Sequence, residues 1–135
     1  MRSLALIVLF VLATTVAFAQ PTKYQLSSHI LDVSTGMPAK GVSVELEKLD
    51  KKTKTWQQVD KKITDEKGRI TDFLATGHAN EGVYRLRFLV ADYFKSKKTD
   101  SFYPFIEVVF QIKDSEHYHV PITLSPYGYA TYRGN

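Results

Sequence analysis

The residues best suited to chemistry gather at the end of the chain. His117–Asn135 reads HYHVPITLSPYGYATYRGN and holds two of the four histidines, four of the eight tyrosines and Arg133. A third histidine, His29, lies near the start in YQLSSHILDV, and Arg69 follows the turn Asp65-Glu66-Lys67-Gly68. An imidazole near its free pKa of roughly 6.5 can take a proton from water at neutral pH. An arginine fork can hold substrate oxygens and the charge that develops on them. Together these groups suffice for attack of water on an activated carbonyl, without a metal or a covalent intermediate. General acid–base assistance is worth about 10²–10⁴-fold, so the kit suits a substrate that is already labile. The candidate set is His29, Arg69, His119, Ser125, Tyr132 and Arg133.

Other chemistries lack their parts. There is no cysteine, hence no thiol nucleophile and no disulfide. No glycine-rich phosphate loop, dinucleotide fingerprint or G-x-S-x-G elbow occurs. His117 and His119 would face the same way on a strand, but two ligands fall short of the usual three or four, so no metal is expected. The lysine clusters are interleaved with acids and read as solvated surface, and no nucleic-acid motif is present.

The elements that must position these residues are strands. Tyr24–Val33 alternates, with Leu26, Ser28 and Ile30 on one face and Ser27, His29 and Leu31 on the other. Val42–Leu49 sends Val42, Val44 and Leu46 inward. Trp56–Thr64 reads as a half-exposed strand anchored by Trp56. Thr71–Gly82 reads as irregular, with His78 exposed in it. Val83–Val90 and Ile106–Ile112 are strands, and Ala91–Thr99 has helical spacing for a turn or two. His117–Ser125 alternates again, with Pro121 marking an edge or bulge, and Tyr127–Tyr132 makes a last strand. Seven or eight strands with one short helix predict an all-β fold, an antiparallel β-sandwich.

The first nineteen residues are set apart from this domain. Arg2, the apolar run Leu4–Val16 and Ala17-Phe18-Ala19 fit a cleaved signal peptide, too short to span a bilayer, which takes about 20 residues. Residues 20–135 then form one exported domain, with no membrane attachment after cleavage. Of 18 basic residues Arg2 leaves with the leader, so 17 against 14 acidic residues give +3.

Three segments carry a family resemblance. SHILD at Ser28–Asp32 followed by TGMPAKGVSVELE, TDEKGRI at Thr64–Ile70, and HYHVPITLSPYGYATYRGN together resemble the 5-hydroxyisourate hydrolases, the transthyretin-related branch of the transthyretin family. The resemblance implies a transthyretin-like sandwich assembled as a homotetramer, a dimer of dimers, with sites in a channel between dimers. It implies hydrolysis of 5-hydroxyisourate to 2-oxo-4-hydroxy-4-carboxy-5-ureidoimidazoline in urate breakdown, without a cofactor. His29, Arg69 and His119 match the family's catalytic positions, and Tyr132, Arg133 and Gly134 match its closing Tyr-Arg-Gly. On this basis His29, Arg69, Tyr132 and Arg133 are expected to contact substrate, joined by Ser125 from the strand-face set, and His117 to play a supporting part. The terminal residue departs from the family pattern, Asn135 standing in place of serine. With a leader, the expected compartment is the periplasm, if the source is Gram-negative. The rival expectation is a transthyretin-like carrier of a small ligand, which needs an apolar channel and no base.

Overall fold

The computed structural model describes residues 23–135, so the expected signal peptide and its cleavage site lie outside the described residues. In chain order the elements are β1 (Tyr24–Asp32), β2 (Met37–Pro38), β3 (Ser43–Leu49), β4 (Trp56–Ile63), β5 (Arg69–Ala75), β6 (Gly82–Leu89), α1 (Ala91–Ser96), β7 (Ile106–Ile112), β8 (Tyr118–His119), β9 (Ile122–Ser125) and β10 (Gly128–Thr131).

They form two facing sheets. One has the order β4-β3-β6-β7, antiparallel throughout. The other is centred on β1, with β5 and β2 along one edge, β8 and β9 along the other, and β10 outside β9. Between the sheets lie the apolar sets that alternation predicts: Leu26 and Ile30 from β1, Val44 and Leu46 from β3, and Leu86 and Phe88 from β6, all fully buried. Each such side chain is worth about 1.5–3 kcal/mol of transfer free energy. The sandwich is thus as expected, with one departure. β8 and β9 run parallel to β1, so the last strands of the chain sit beside the first.

Two local readings change. Residues expected to be irregular form β5, whose pattern is hidden by a bulge. Leu26 pairs with Phe73 and Ser28 with Ile70, so two residues on β1 face three on β5, and the buried Ile70 and Phe73 lose the spacing of 2. The helix stops at Ser96, because Lys97 closes it and Lys98 takes a φ of 53°.

α1 is tied to β1 by a buried pair. The Tyr93 hydroxyl donates to Asp32 Oδ2 at 2.8 Å, and Asp32 is also held by Ser34. Burial opposes the Asp32 charge, but the hydrogen bonds from Ser34 and Tyr93 outweigh it and hold the carboxyl below its ordinary 3.8. Replacing Tyr93 by phenylalanine strips one donor from a buried carboxylate. We expect a loss of about 2 kcal/mol, read from denaturant midpoints, since hydrogen bonds to charged groups are worth about 1.5–3 kcal/mol.

Candidate active site

Two ladders bring the chemistry-bearing residues to the outer face of the β1 sheet. The alternation that buries Leu26, Ser28 and Ile30 turns Ser27 and His29 to the other side. His29 stands opposite Arg69 in the ladder with β5, and Ser27 stands beside His119 in the parallel ladder with β8. Residues ninety positions apart therefore share one surface.

Arg69 is delivered by its turn. The Asp65 carboxylate accepts the N–H groups of Lys67 and Arg69 at 2.8 and 2.9 Å, and the Asp65 N–H donates to the Arg69 carbonyl at 3.0 Å. Gly68 takes φ +67°, and a Cβ there would lie 2.6 Å from the Ile30 carbonyl oxygen, so only glycine lets the turn sit this close to β1. The Arg69 side chain leaves this turn exposed.

His119 is gripped from several sides. Its Nδ1 lies 2.8 Å from Ser27 Oγ, which also lies 2.9 Å from His117 Nε2. Its carbonyl accepts the Gly134 N–H at 2.8 Å, and Gly134 lies so close that a Cβ there would meet the His119 side chain. Burial, then the charges of Arg69, His29 and His117, hold His119 below its ordinary 6.5, against a backbone hydrogen bond at Ser27. Burial and Arg69 do the same to His29, opposed by a backbone hydrogen bond at Lys67 and by Asp65. Both imidazoles are therefore neutral bases at neutral pH, next to a permanent cation. A weak base, a second weak base and a guanidinium on one face can activate water and stabilise an oxyanion.

The tail supplies the rest of the surface. Thr123 pairs with Ala130 and His119 with Gly134, one continuous register interrupted only around Pro121, which has no N–H to offer. Tyr132 falls opposite Pro121 in that register and is 59% exposed. The Arg133 guanidinium lies 4.7 Å from the Tyr118 ring centroid. Arg133, expected to contact substrate, is thus not brought beside the histidines within this subunit. Arg133 instead borders a groove of about 470 Å³ lined by Val108, Phe110, Tyr118, Val120 and Tyr132. Ser125 is not brought to the histidines either: its hydroxyl donates to the Gly128 carbonyl at 3.0 Å and closes the β9–β10 turn. Ser27 was not among the expected site residues. Its place on the His29 face of β1 was the available signal.

Among the described residues no group of three or more His, Cys, Asp or Glu is arranged to hold a metal ion, and no helix is long and apolar enough to cross a membrane.

Comparisons with known proteins agree on one family. A family model described as HIUase/Transthyretin matches residues 26–134. A 5-hydroxyisourate hydrolase of Salmonella dublin is 51% identical over 111 residues, 82% of this chain and 80% of that protein. A 5-hydroxyisourate hydrolase of Mus musculus is 38% identical over 82% of this chain and 94% of its own. Among solved structures, the Klebsiella pneumoniae 5-hydroxyisourate hydrolase superimposes with a TM-score of 0.70 at 33% identity, covering 85% of this chain and all of that one. Sea bream transthyretin in complex with thyroxine gives a TM-score of 0.76 at 28% identity, covering 82% of this chain and 94% of that one.

Proposed function

Because the chain belongs to the HIUase/Transthyretin family, we propose that it hydrolyses 5-hydroxyisourate by metal-free attack of water on the cyclic amide carbonyl. The observation that carries this is the convergence of His29, Arg69 and His119 on one face through the β1 ladders. His119 draws a proton from water. Arg69 holds substrate oxygens and the oxyanion that forms on the carbonyl. As the oxyanion collapses, the ring C–N bond breaks and the proton taken by His119 passes to the leaving nitrogen. His29 acts beside the base from the neighbouring strand, and Tyr132 closes over the ring.

A transthyretin-like carrier fits less well. Such a protein needs an apolar channel, and the face here carries two imidazoles and a guanidinium. Shape does not separate the two readings, since the transthyretin superimposes at least as well as the hydrolase; side chains do. The discriminating experiment is a spectrophotometric assay with freshly prepared 5-hydroxyisourate. The protein should accelerate its decay well above the spontaneous rate, and a carrier would leave that rate unchanged. The depressed histidines fix the sign of the pH dependence. Protonation removes the base, so the acid limb of kcat/KM should have its midpoint below 6.5 and activity should persist at pH 6.5. A midpoint at or above 6.5 would assign the limb to another group.

The working form is a homotetramer in this reading. The histidine face is open on a single subunit, with Arg69 and Tyr132 exposed. Among the described residues β7 and β10 end their two sheets without a further partner strand, with Val109 on β7 58% exposed, and such edges invite pairing with another copy. The N-terminal leader pattern supports export to the periplasm of a Gram-negative host, tested by fractionating cells that express the full chain.

A further inference from the structure

Four groups on this face form a single hydrogen-bonded file. The Tyr24 carbonyl oxygen lies 3.2 Å from His117 Nδ1, His117 Nε2 lies 2.9 Å from Ser27 Oγ, and Ser27 Oγ lies 2.8 Å from His119 Nδ1. Distances alone leave the proton positions open, because each imidazole has two tautomers and a hydroxyl can turn either way. One end of the file removes that freedom. A backbone carbonyl can only accept.

The Tyr24 carbonyl therefore requires the proton of neutral His117 on Nδ1. His117 Nε2 is then a lone pair and accepts the Ser27 hydroxyl proton. The Ser27 oxygen, having donated, accepts from His119 Nδ1–H. His119 is left with its proton on Nδ1 and a bare lone pair on Nε2. Run in reverse, the file would set a nitrogen lone pair of neutral His117 against the carbonyl oxygen, which is repulsive.

We propose that Ser27 and His117 are positioning residues that hold His119 in the Nδ1–H tautomer, keeping Nε2 unprotonated for the reaction. The proposal rests on the reading of His119 as the base, and it gives His117 and Ser27 a defined part. The logic is that of any general base whose far nitrogen is held by an orienting partner; removal of that partner leaves the ring in place with the wrong nitrogen protonated. Here the orienting partner is a neutral hydroxyl, itself oriented by a second imidazole. That arrangement fixes the tautomer without placing an anion beside the base, so His119 keeps its depressed basicity.

The test reads the tautomer directly. Protein labelled with ¹⁵N-histidine is examined by NMR at a pH where the imidazoles are neutral, alongside kinetics with 5-hydroxyisourate. In the wild type His119 should show the Nδ1–H pattern. Ser27→Ala should weaken that preference, the Ser27 carbonyl remaining as an acceptor for the ring N–H, and lower kcat by about 10–100-fold with KM little moved. Ser27→Thr, which keeps the hydroxyl, should restore both. His117→Phe frees the Ser27 proton to turn toward His119 Nδ1, so His119 should swing to the Nε2–H form with kcat lowered. His117 is exposed, so this variant does not threaten the core. An Nε2–H pattern in the wild type, or an unchanged Nδ1–H pattern in both Ser27→Ala and His117→Phe, would overturn the file. Tautomers that shift as expected while kcat stays at the wild-type value would uphold the file and overturn His119 as the base, so the two failures are told apart.

Discussion

Replacing His119 by asparagine is expected to lower kcat/KM for 5-hydroxyisourate by about 10²–10⁴-fold, the usual worth of a general base. Asparagine is the informative choice. Its amide can still reach Ser27 Oγ from the position that Nδ1 occupies, so the surrounding hydrogen bonds and the half-buried volume are largely kept. What disappears is the titratable nitrogen. Stability should therefore change by less than about 1 kcal/mol, while the acid limb of the pH profile flattens. The parallel His29→Asn variant should retain that limb, because in this scheme His29 acts beside the base. If both variants turned over at near-normal rates, acid–base catalysis from this face would be wrong.

The second large effect is expected from a methyl group. Gly134→Ala should cost about 10²-fold in kcat/KM with the thermal midpoint almost unmoved. The Gly134 N–H is committed to the His119 carbonyl, so the strand end cannot easily slide. A Cβ on Gly134 would collide with Cδ2 of the His119 ring and sit within 3.1 Å of its Cγ. Unlike Gly68, this glycine has no positive φ to preserve, so the effect is purely steric. On its other flank the ring is held by Ser27. Relief comes only by turning the imidazole off Ser27 or by peeling the last residues away with Tyr132. Either movement misplaces a reacting group by about 1 Å, enough for a loss of that size. Because the residue is not part of the buried core, little of the fold depends on it. Wild-type kcat/KM in Gly134→Ala would show that the tail does not hold the base.

Much of this site was legible before any coordinates. The spacing of 2 in YQLSSHILDV and in HYHVPITLS placed His29 and His119 on faces opposite to buried sets, and both faces are as read. Gly68 and Arg69 were legible as a turn and its exit. Which strands lie side by side was not legible, since a sequence period says which way a residue points and not what it meets. β5 was missed because its bulge spreads Ile70 and Phe73 to a spacing of 3. Arg133 was grouped with Tyr132 by the motif they share; the two border one groove, and the Arg133 guanidinium lies over Tyr118 and not beside the histidines. The file through Ser27 needed two strands ninety residues apart to be in register.

That register sets a timetable for folding. β1 is the middle of its sheet, yet the strands that close its far edge follow it by about ninety residues. Synthesis runs from the N-terminus at roughly 5–20 residues per second, so β1 waits several seconds with a row of unpaired amides. Contacts this distant in sequence also close slowly once the chain is complete. A nascent or truncated chain presents a sticky central strand, not merely a missing tail. The segment that seats the base is also the one that covers this edge of β1.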